Sequence, residues 1–413
     1  MDYEEILEKE EQERNKKKPR KWRTRFWVAV LVLLVAVGSF FGGQAFLIYS
    51  SAGSGVGNYR VLSKLMFIEA CIDKYFLHEV DEEEMESYIY KGMMNGLHDP
   101  YAAYYSREEY QRLLEEDAGE YVGIGVTVRE DANTGYIIVD EVNKNGPAYK
   151  AGLQVGDIIM AVDGEDTAQL GLQDTVSAIR TKKEPSEITI YREHDSFQVT
   201  VEKSEIALES VTWKMMEDGV GYISVAQFVE NTFPQFEEAL SDLEGKGMKG
   251  LVIDLRDNGG GLLNSCIDMV SRILPKDELI VYTEDKEGKR TEYKSISKKT
   301  LKTPMVVLVN ENTASASEIM TGCLKDYQLA TVVGEKTFGK GIVQNVMPFS
   351  DGSAIKMTVS KYYTPKGNDI HEVGIAPDVT VEIGDKKWAK VRRNEAKDTQ
   401  LEKALEVLQD KMK

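Results

Sequence analysis

At 413 residues with 42% hydrophobic content, the chain is long enough to bury more than one core, and two or three domains are expected. Its formal charge of −18 argues against nucleic acid or an anionic membrane surface as the partner of the soluble part. The acidity belongs to the bulk of the protein, because the first 25 residues carry nine basic and seven acidic side chains, leaving −20 for the rest.

Residues 1–25 form a charged tail. Seven Lys/Arg from Lys16 to Arg25 precede a charge-free apolar run over 26–49, with Trp22 and Trp27 at one edge and Tyr49 at the other. That length spans a bilayer, and the aromatic edges suit its interfaces. No Lys or Arg follows until Arg60, so the positive-inside rule predicts a cytoplasmic N-terminus, a single-pass anchor in the cell membrane and an extracytoplasmic remainder. A cleaved signal peptide is the alternative; its apolar core is usually about 7 to 15 residues, shorter than this run, and Gly43-Gln44-Ala45 matches a cleavage site weakly. The SSAGSGVG stretch that follows reads as a flexible linker. Cys71, Cys266 and Cys323 are isolated among apolar helical neighbours, which suggests neither a disulfide framework nor a zinc site. So few cysteines in an exported chain point to a bacterial envelope.

Residues 58–118 show helical periodicity in three segments, with His98-Asp99-Pro100-Tyr101 between the second and third. By pattern this is a helical packing or dimerisation module. From about 119 to 205 the chain changes to six short alternating runs with two helices, as a small, partly open sheet requires. GIGV, GPAYKAGLQVGDII and VDG in this stretch resemble a PDZ domain of the bacterial protease type. The resemblance implies that Gly123, Ile124, Gly125 and Val126 present backbone N–H groups to the terminal carboxylate of a peptide added as an edge strand. Arg180, at the end of the helix DTVSAIR, either helps hold that carboxylate or is a solvated helix end.

Residues 206–385 alternate strand and helix signals, which argues for a mainly parallel sheet with helical cover. LVIDLRDNGGG is a buried strand ending in glycines before a helix, so it exposes amides able to bind a phosphate or a developing oxyanion. It lacks the Lys-Ser/Thr of a P-loop and the GxGxxG of a dinucleotide fold. Further on, Met305–Val309 is a buried strand leading through Asn310 to TASASEIM, a helix start from about Ser315. A serine at such a turn sits beside the unsatisfied amides of the helix's first turn, so hydroxyl and oxyanion donor are neighbours. Ser315 to Glu318 also spells a capping box, in which the serine only ties down the helix. A second apolar run, Leu329 to Val333, leads into GEKTFGKGIVQ, where Lys340 lies between two glycines and points toward packed interior. A desolvated lysine lowers its pKa and can act as a neutral base.

TASASEI and GEKTFGKGIVQ, with Lys340 25 residues after Ser315, are similar to the carboxyl-terminal processing, or tail-specific, proteases. That family's Ser/Lys-dyad chemistry implies Ser315 as nucleophile, Lys340 as general base and Gln344 as the residue orienting the lysine. Its oxyanion hole maps to Gly260 or Gly261 together with the amide of Ala316. The implied architecture is α/β and multidomain: a crotonase/ClpP-like core with an inserted PDZ domain, a helical N-terminal region able to pair subunits, and a transmembrane helix. The implied activity is endoproteolysis of envelope proteins at free C-terminal tails through an acyl-enzyme, without cofactor or metal. HEVGIAPD resembles the family's end-of-domain motif, and His371 beside Glu372 lacks a second ligand for metal binding. Residues 386–413 end in a stripe of Leu401, Leu405, Leu408 and Met412, expected as a docking helix. A silent PDZ scaffold serving another protease is the alternative, though it is expected to have lost Ser315 or Lys340. A Ser/His/Asp triad has only His371 to draw on outside the helical and PDZ regions.

Overall fold

The computed structural model describes residues 4, 7–11, 57–182, 185–392 and 396–413. The expected membrane span, 26–49, lies outside them, and among the described residues no helix is long and apolar enough to cross a membrane. The chain divides into a unit ending at Met85 and a larger unit from Glu86 to Lys413. In the first, helix α1 (Tyr59–Tyr75) starts at Asn58, whose side chain accepts the Arg60 N–H. Helix α2 (Glu82–Asn95) leads into the second unit, followed by strand β1 (Ala103–Tyr105) and helix α3 (Arg107–Ala118). A Ser106/Glu109 capping box opens α3, and Gly119 in left-handed conformation ends it.

The next strand, β2 (Glu120–Gly123), pairs at the far end of the inserted domain with β9 (Ser204–Ala207), so the chain enters and leaves through one antiparallel ribbon. Between them lie β3 (Val126–Glu130), β4 (Ile137–Val142), the short helix α4 (Pro147–Lys150), β5 (Ile158–Val162), β6 (Glu165–Asp166), helix α5 (Thr167–Thr181), β7 (Ser186–Arg192) and β8 (Asp195–Val201). The strands form a six-stranded sheet in the order β3-β4-β5-β7-β8, with β6 beside β5. Ile137, Val139, Ile159, Ile188 and Ile190 alternate inward to make its core, as a half-buried sheet demands.

The remaining chain builds two sheets. Strands β10 (Val211–Met215), β11 (Val220–Val225), β12 (Gly250–Asp254), β15 (Met305–Val309), β16 (Ala330–Gly334) and β19 (Val379–Thr380) lie side by side in that order. All neighbours from β11 onward are parallel. Both faces are covered, so β12 and β15 are wholly buried rather than alternating. On one face Leu251, Ile253, Met305 and Val307 meet helices α6 (Thr232–Gly245), α7 (Leu263–Ser271) and α8 (Ala316–Asp326). On the other, Val252, Val306 and Leu308 meet the docking helix α10 (Thr399–Met412), preceded by α9 (Asp385–Arg392). Gly250 permits that approach, since a Cβ there would come 2.6 Å from the Met412 sulfur.

The second sheet is antiparallel: β13 (Leu279–Asp285), β14 (Arg290–Lys294), β17 (Ile342–Pro348) and β18 (Ala354–Tyr363). Its edge is completed by β1, with Ala103 opposite Lys356 and Tyr105 opposite Ala354. Residues 103–105 thus belong to this sheet, although they lie within the region whose pattern suggests helices.

Candidate active site

The loops after β12 and β15 leave the carboxyl ends of neighbouring parallel strands, where open α/β sheets place their ligand crevices. Hydrogen bonds lace the two loops together. Thr313 Oγ1 donates to the Leu255 carbonyl at 2.8 Å, the Ala314 N–H to the Asn258 carbonyl at 3.0 Å, and Ser317 Oγ to that same carbonyl at 3.0 Å.

Ser315 sits at the apex with φ 56° and ψ −117°, a conformation non-glycine residues rarely adopt. Its main chain is held on both sides. The Ser315 N–H donates to Glu318 Oε2 at 2.9 Å, and its carbonyl accepts from Tyr362 Oη at 2.9 Å. The capping box expected here is formed, but its serine half is redundant, because the Glu318 N–H already bonds the Ser315 carbonyl at 2.8 Å.

Glu318 does more than cap. Its fully buried carboxylate also accepts Thr337 Oγ1 at 2.6 Å and the Gly339 N–H at 2.8 Å on Oε1, and the Lys340 N–H at 2.8 Å on Oε2. Thr337 Oγ1 takes the Ile375 N–H at 2.7 Å, so its own proton is free to point at the carboxylate. Four donors converge on one acceptor-only group, which locks the serine turn to the lysine loop.

Lys340 is half-buried, with its Nζ 4.1 Å from the centre of the Tyr101 ring. Burial, and then the charge of Lys356, push its amine below the usual lysine pKa, while Asp99 pulls the other way. Among the hydrogen bonds of the described residues, none joins the Ser315 hydroxyl to the Lys340 amine. Gln344 Nε2 donates to Thr358 Oγ1 at 3.2 Å rather than to the lysine.

In the glycine loop, Asn258 is fully buried and organises its surroundings: Nδ2 donates to the Val225 carbonyl at 2.9 Å, and Oδ1 accepts the Gly260 N–H at 2.9 Å. Of the two glycines expected to offer an amide, Gly260 has therefore committed its N–H within the loop. Its importance is steric, since a Cβ there would lie 2.7 Å from Ser315 Cβ and 3.0 Å from the Ala316 nitrogen. Gly261 bridges to Phe228 through its neighbours, the Phe228 N–H going to Gly260 and the Leu262 N–H to Phe228. Among the hydrogen bonds of the described residues, none is donated by the N–H groups of Gly261 and Ala316.

In the inserted domain, Ile124 and Gly125 lead the chain past α4, where the Ala148 N–H bonds the Ile124 carbonyl at 2.8 Å. With Gly123, Val126 and Ile179 they line a narrow apolar groove of about 80 Å³ beside α5. Arg180 stands at one end, exposed, its guanidinium 5.9 Å from the Tyr121 ring. It also lines a neighbouring cavity of about 320 Å³ that runs to Phe228, Gly260 and Gly261. One arginine thus faces both the groove and the approach to the glycine loop.

Residues 112–191 match the PDZ domain family and residues 219–381 match Peptidase family S41. The chain is 35% identical over 343 residues to a carboxyl-terminal-processing protease of Synechocystis, covering 81% of this chain and 80% of that protein. It belongs to the carboxyl-terminal processing proteases of family S41. Another family member, the carboxy-terminal processing protease CtpA of Bacillus subtilis, is 32% identical over 89% of this chain and 78% of its own length. The fold is shared with a Bacteroides fragilis protein assigned to the S41 proteases, at TM-score 0.51 and 17% identity, over 78% of this chain and 90% of that one.

In this S41 core several residues matter that pattern alone did not single out. Arg256, its side chain 3% exposed, binds Asp254 through Nε and Nη2 and Asp398 through both Nη atoms, beneath the Trp388 ring. The network ties the segment before α10 to the end of β12. Asp257, at φ 60°, accepts from Asn310 Nδ2, Asn312 Nδ2 and Trp388 Nε1. His371 meets the lysine loop through backbone, a Cβ on Gly341 falling 2.9 Å from His371 Cα. Among the described residues no group of three His, Cys, Asp or Glu is placed to hold a metal.

Proposed function

We propose that this S41 protease hydrolyses peptide bonds near free C-terminal tails of envelope proteins with a Ser315/Lys340 dyad. The observation that carries the reading is the Glu318 carboxylate, which holds the backbone of both residues through Oε2. Ser315 Oγ attacks the scissile carbonyl as its proton passes to neutral Lys340 Nζ. The resulting oxyanion is stabilised by the amides of Ala316 and Gly261. Collapse expels the amine, which takes the proton back from Lys340, and water then hydrolyses the acyl-enzyme by the same relay. Gln344 orients the lysine when substrate is bound. The groove from Gly123 to Val126 receives the tail's carboxylate end, with Arg180 beside it. Residues 26–49 anchor the enzyme with its catalytic part outside the cytoplasm.

The decisive experiment compares peptide cleavage and circular dichroism for Ser315→Ala, Lys340→Ala, Lys340→Arg and His371→Ala. The first three are expected to be folded and inactive, arginine failing because it cannot deprotonate, while His371→Ala keeps most activity. A folded Lys340→Ala enzyme with wild-type turnover, or a folded and inactive His371→Ala enzyme, sinks the dyad. For the topology, alkaline phosphatase fused after residue 413 is expected to be active; an inactive fusion beside an active cytoplasmic reporter overturns it.

A further inference from the structure

The turn from His98 to Tyr101 lies against the lysine loop, far from it in sequence. It is rigid rather than pendant: the Tyr101 N–H donates to Asp99 Oδ1 at 2.9 Å, the Ala102 N–H to the Asp99 carbonyl at 3.1 Å, and β1 follows at once, in register with β18. The Tyr101 ring is therefore a fixed surface, and Lys340 Nζ rests on its face at 4.1 Å.

We infer that Tyr101 is a positioning residue for Lys340, its ring face a resting seat from which the amine must leave, deprotonated, to serve Ser315. The inference rests on Lys340 being the base. An aromatic face attracts an ammonium and has little hold on a neutral amine, so the seat favours the charged lysine and releases the uncharged one. The charged and titratable groups around Lys340 fall into two sets. Asp99 from the same turn favours the ammonium, as the ring does; Lys356 from β18, like burial, opposes it. Glu318 from α8 is engaged with the Lys340 backbone N–H, and His371 meets the loop at Gly341 through its own backbone. Asp99 is itself pushed up by burial, but hydrogen bonding from Thr358 and Tyr101 together with attraction to Lys340 more than offsets this and leaves its carboxyl below the ordinary value. The turn and the lysine thus form one charge balance, with Thr358 shared between Asp99 and Gln344.

The test uses the full chain with Tyr101→Phe, which keeps the ring, and Tyr101→Leu, which keeps apolar cover without it. Two quantities are measured: kcat/KM against pH on a peptide substrate, and, in the Ser315→Ala background, the pH dependence of Lys340 acetylation by acetic anhydride, read by mass spectrometry. Tyr101→Leu is expected to move both midpoints to lower pH by about half to one and a half units, from the usual strength of such contacts, and Tyr101→Phe to leave them in place. A folded Tyr101→Leu enzyme with an unmoved or raised acetylation midpoint overturns the inference, as does Tyr101→Phe behaving like Tyr101→Leu. Should Tyr101→Leu not fold, Tyr101→Met carries the same comparison. If acetylation shifts while the kcat/KM limb stays, the seat stands and the assignment of Lys340 as the base falls.

Discussion

Glu318 Oε2 accepts the backbone N–H of Lys340 at 2.8 Å, so the lysine loop is fixed by the helix that Ser315 starts. The same oxygen holds the Ser315 N–H at 2.9 Å. Strain at the serine and placement of the lysine are consequently maintained by one group.

Replacing Glu318 by Gln keeps the shape but turns one acceptor oxygen into a donor facing two N–H groups or a hydroxyl and an N–H. Hydrogen bonds to charged groups are worth about 1.5 to 3 kcal/mol each, and a buried mismatch forfeits at least one. Glu318→Gln is expected to lose about 3 kcal/mol of stability and at least about a hundredfold in kcat/KM. Denaturant unfolding and peptide cleavage check it; a variant with wild-type values on both shows the clip to be dispensable.

The pH dependence follows from the sign of the Lys340 shift. With Lys340 as the proposed base, activity requires the neutral amine, so kcat/KM is expected to rise with pH through a lysine pKa held below its ordinary value, chiefly by burial and next by Lys356. Removing the like charge with Lys356→Met returns the pKa upward. The rising limb should move to higher pH, by less than about one unit for a half-exposed neighbour, and the difference should shrink in high salt. A limb displaced to lower pH contradicts the charge assignment.

Gly260→Ala is expected to abolish cleavage. At φ 102° a Cβ is strained by about 1 to 3 kcal/mol, and here it also meets Ser315 Cβ at 2.7 Å. Gly288, at φ 77° in the β13–β14 turn with open space around it, is the control. Gly288→Ala should cost only about 1 kcal/mol and leave kcat/KM unchanged. Equal effects of the two substitutions on activity would show that the contact with Ser315 is not what matters.

Arg256→Met leaves Asp254 buried without a counter-charge, its remaining partners being the Tyr222 hydroxyl at 2.7 Å and the backbone N–H of residue 256 at 3.0 Å. Breaking a buried pair from one side costs about 3 to 5 kcal/mol, whereas Asp398→Asn, at a partner 19% exposed, should cost less. Chemical denaturation ranks the two; the reverse order would show that the pair with Asp398 dominates.

What could be read from the sequence was local. The strand, turn and helix around Ser315, the glycine loop and the bracketed Lys340 each announce themselves by hydrophobic runs and punctuating residues, and the alternation over 119–205 marks a separate small sheet. The docking stripe of Leu401, Leu405, Leu408 and Met412 was legible for the same reason, since Leu408 and Met412 close on Gly250. The rest depends on pairing between distant segments. Asp-Pro-Tyr at 99–101 looks like a link between helices until Ala103 is set opposite Lys356. Glu318 reads as a cap because its cap partner is three residues away, whereas Thr337, Gly339 and Lys340 arrive from the loop between β16 and β17. The commitment of the Gly260 N–H to Asn258 is a local contact, but choosing it over a free amide needs the loop's actual path.

The ribbon of β2 and β9 has a consequence for how the chain folds. Glu120 faces Ala207 and Gly123 faces Ser204, and the Leu208 N–H reaches back to the Gly119 carbonyl at 2.7 Å. β1, which the antiparallel sheet of β13, β14, β17 and β18 takes as a strand, is made before the insertion, and β10 to β19 after it. If the inserted domain folds first, its two ends emerge side by side, and the entropy of closing a long loop is spent inside that domain rather than charged to the core. To the rest of the chain the whole insertion then behaves like a tight turn, and a different domain with equally close ends could take its place without slowing assembly of the protease.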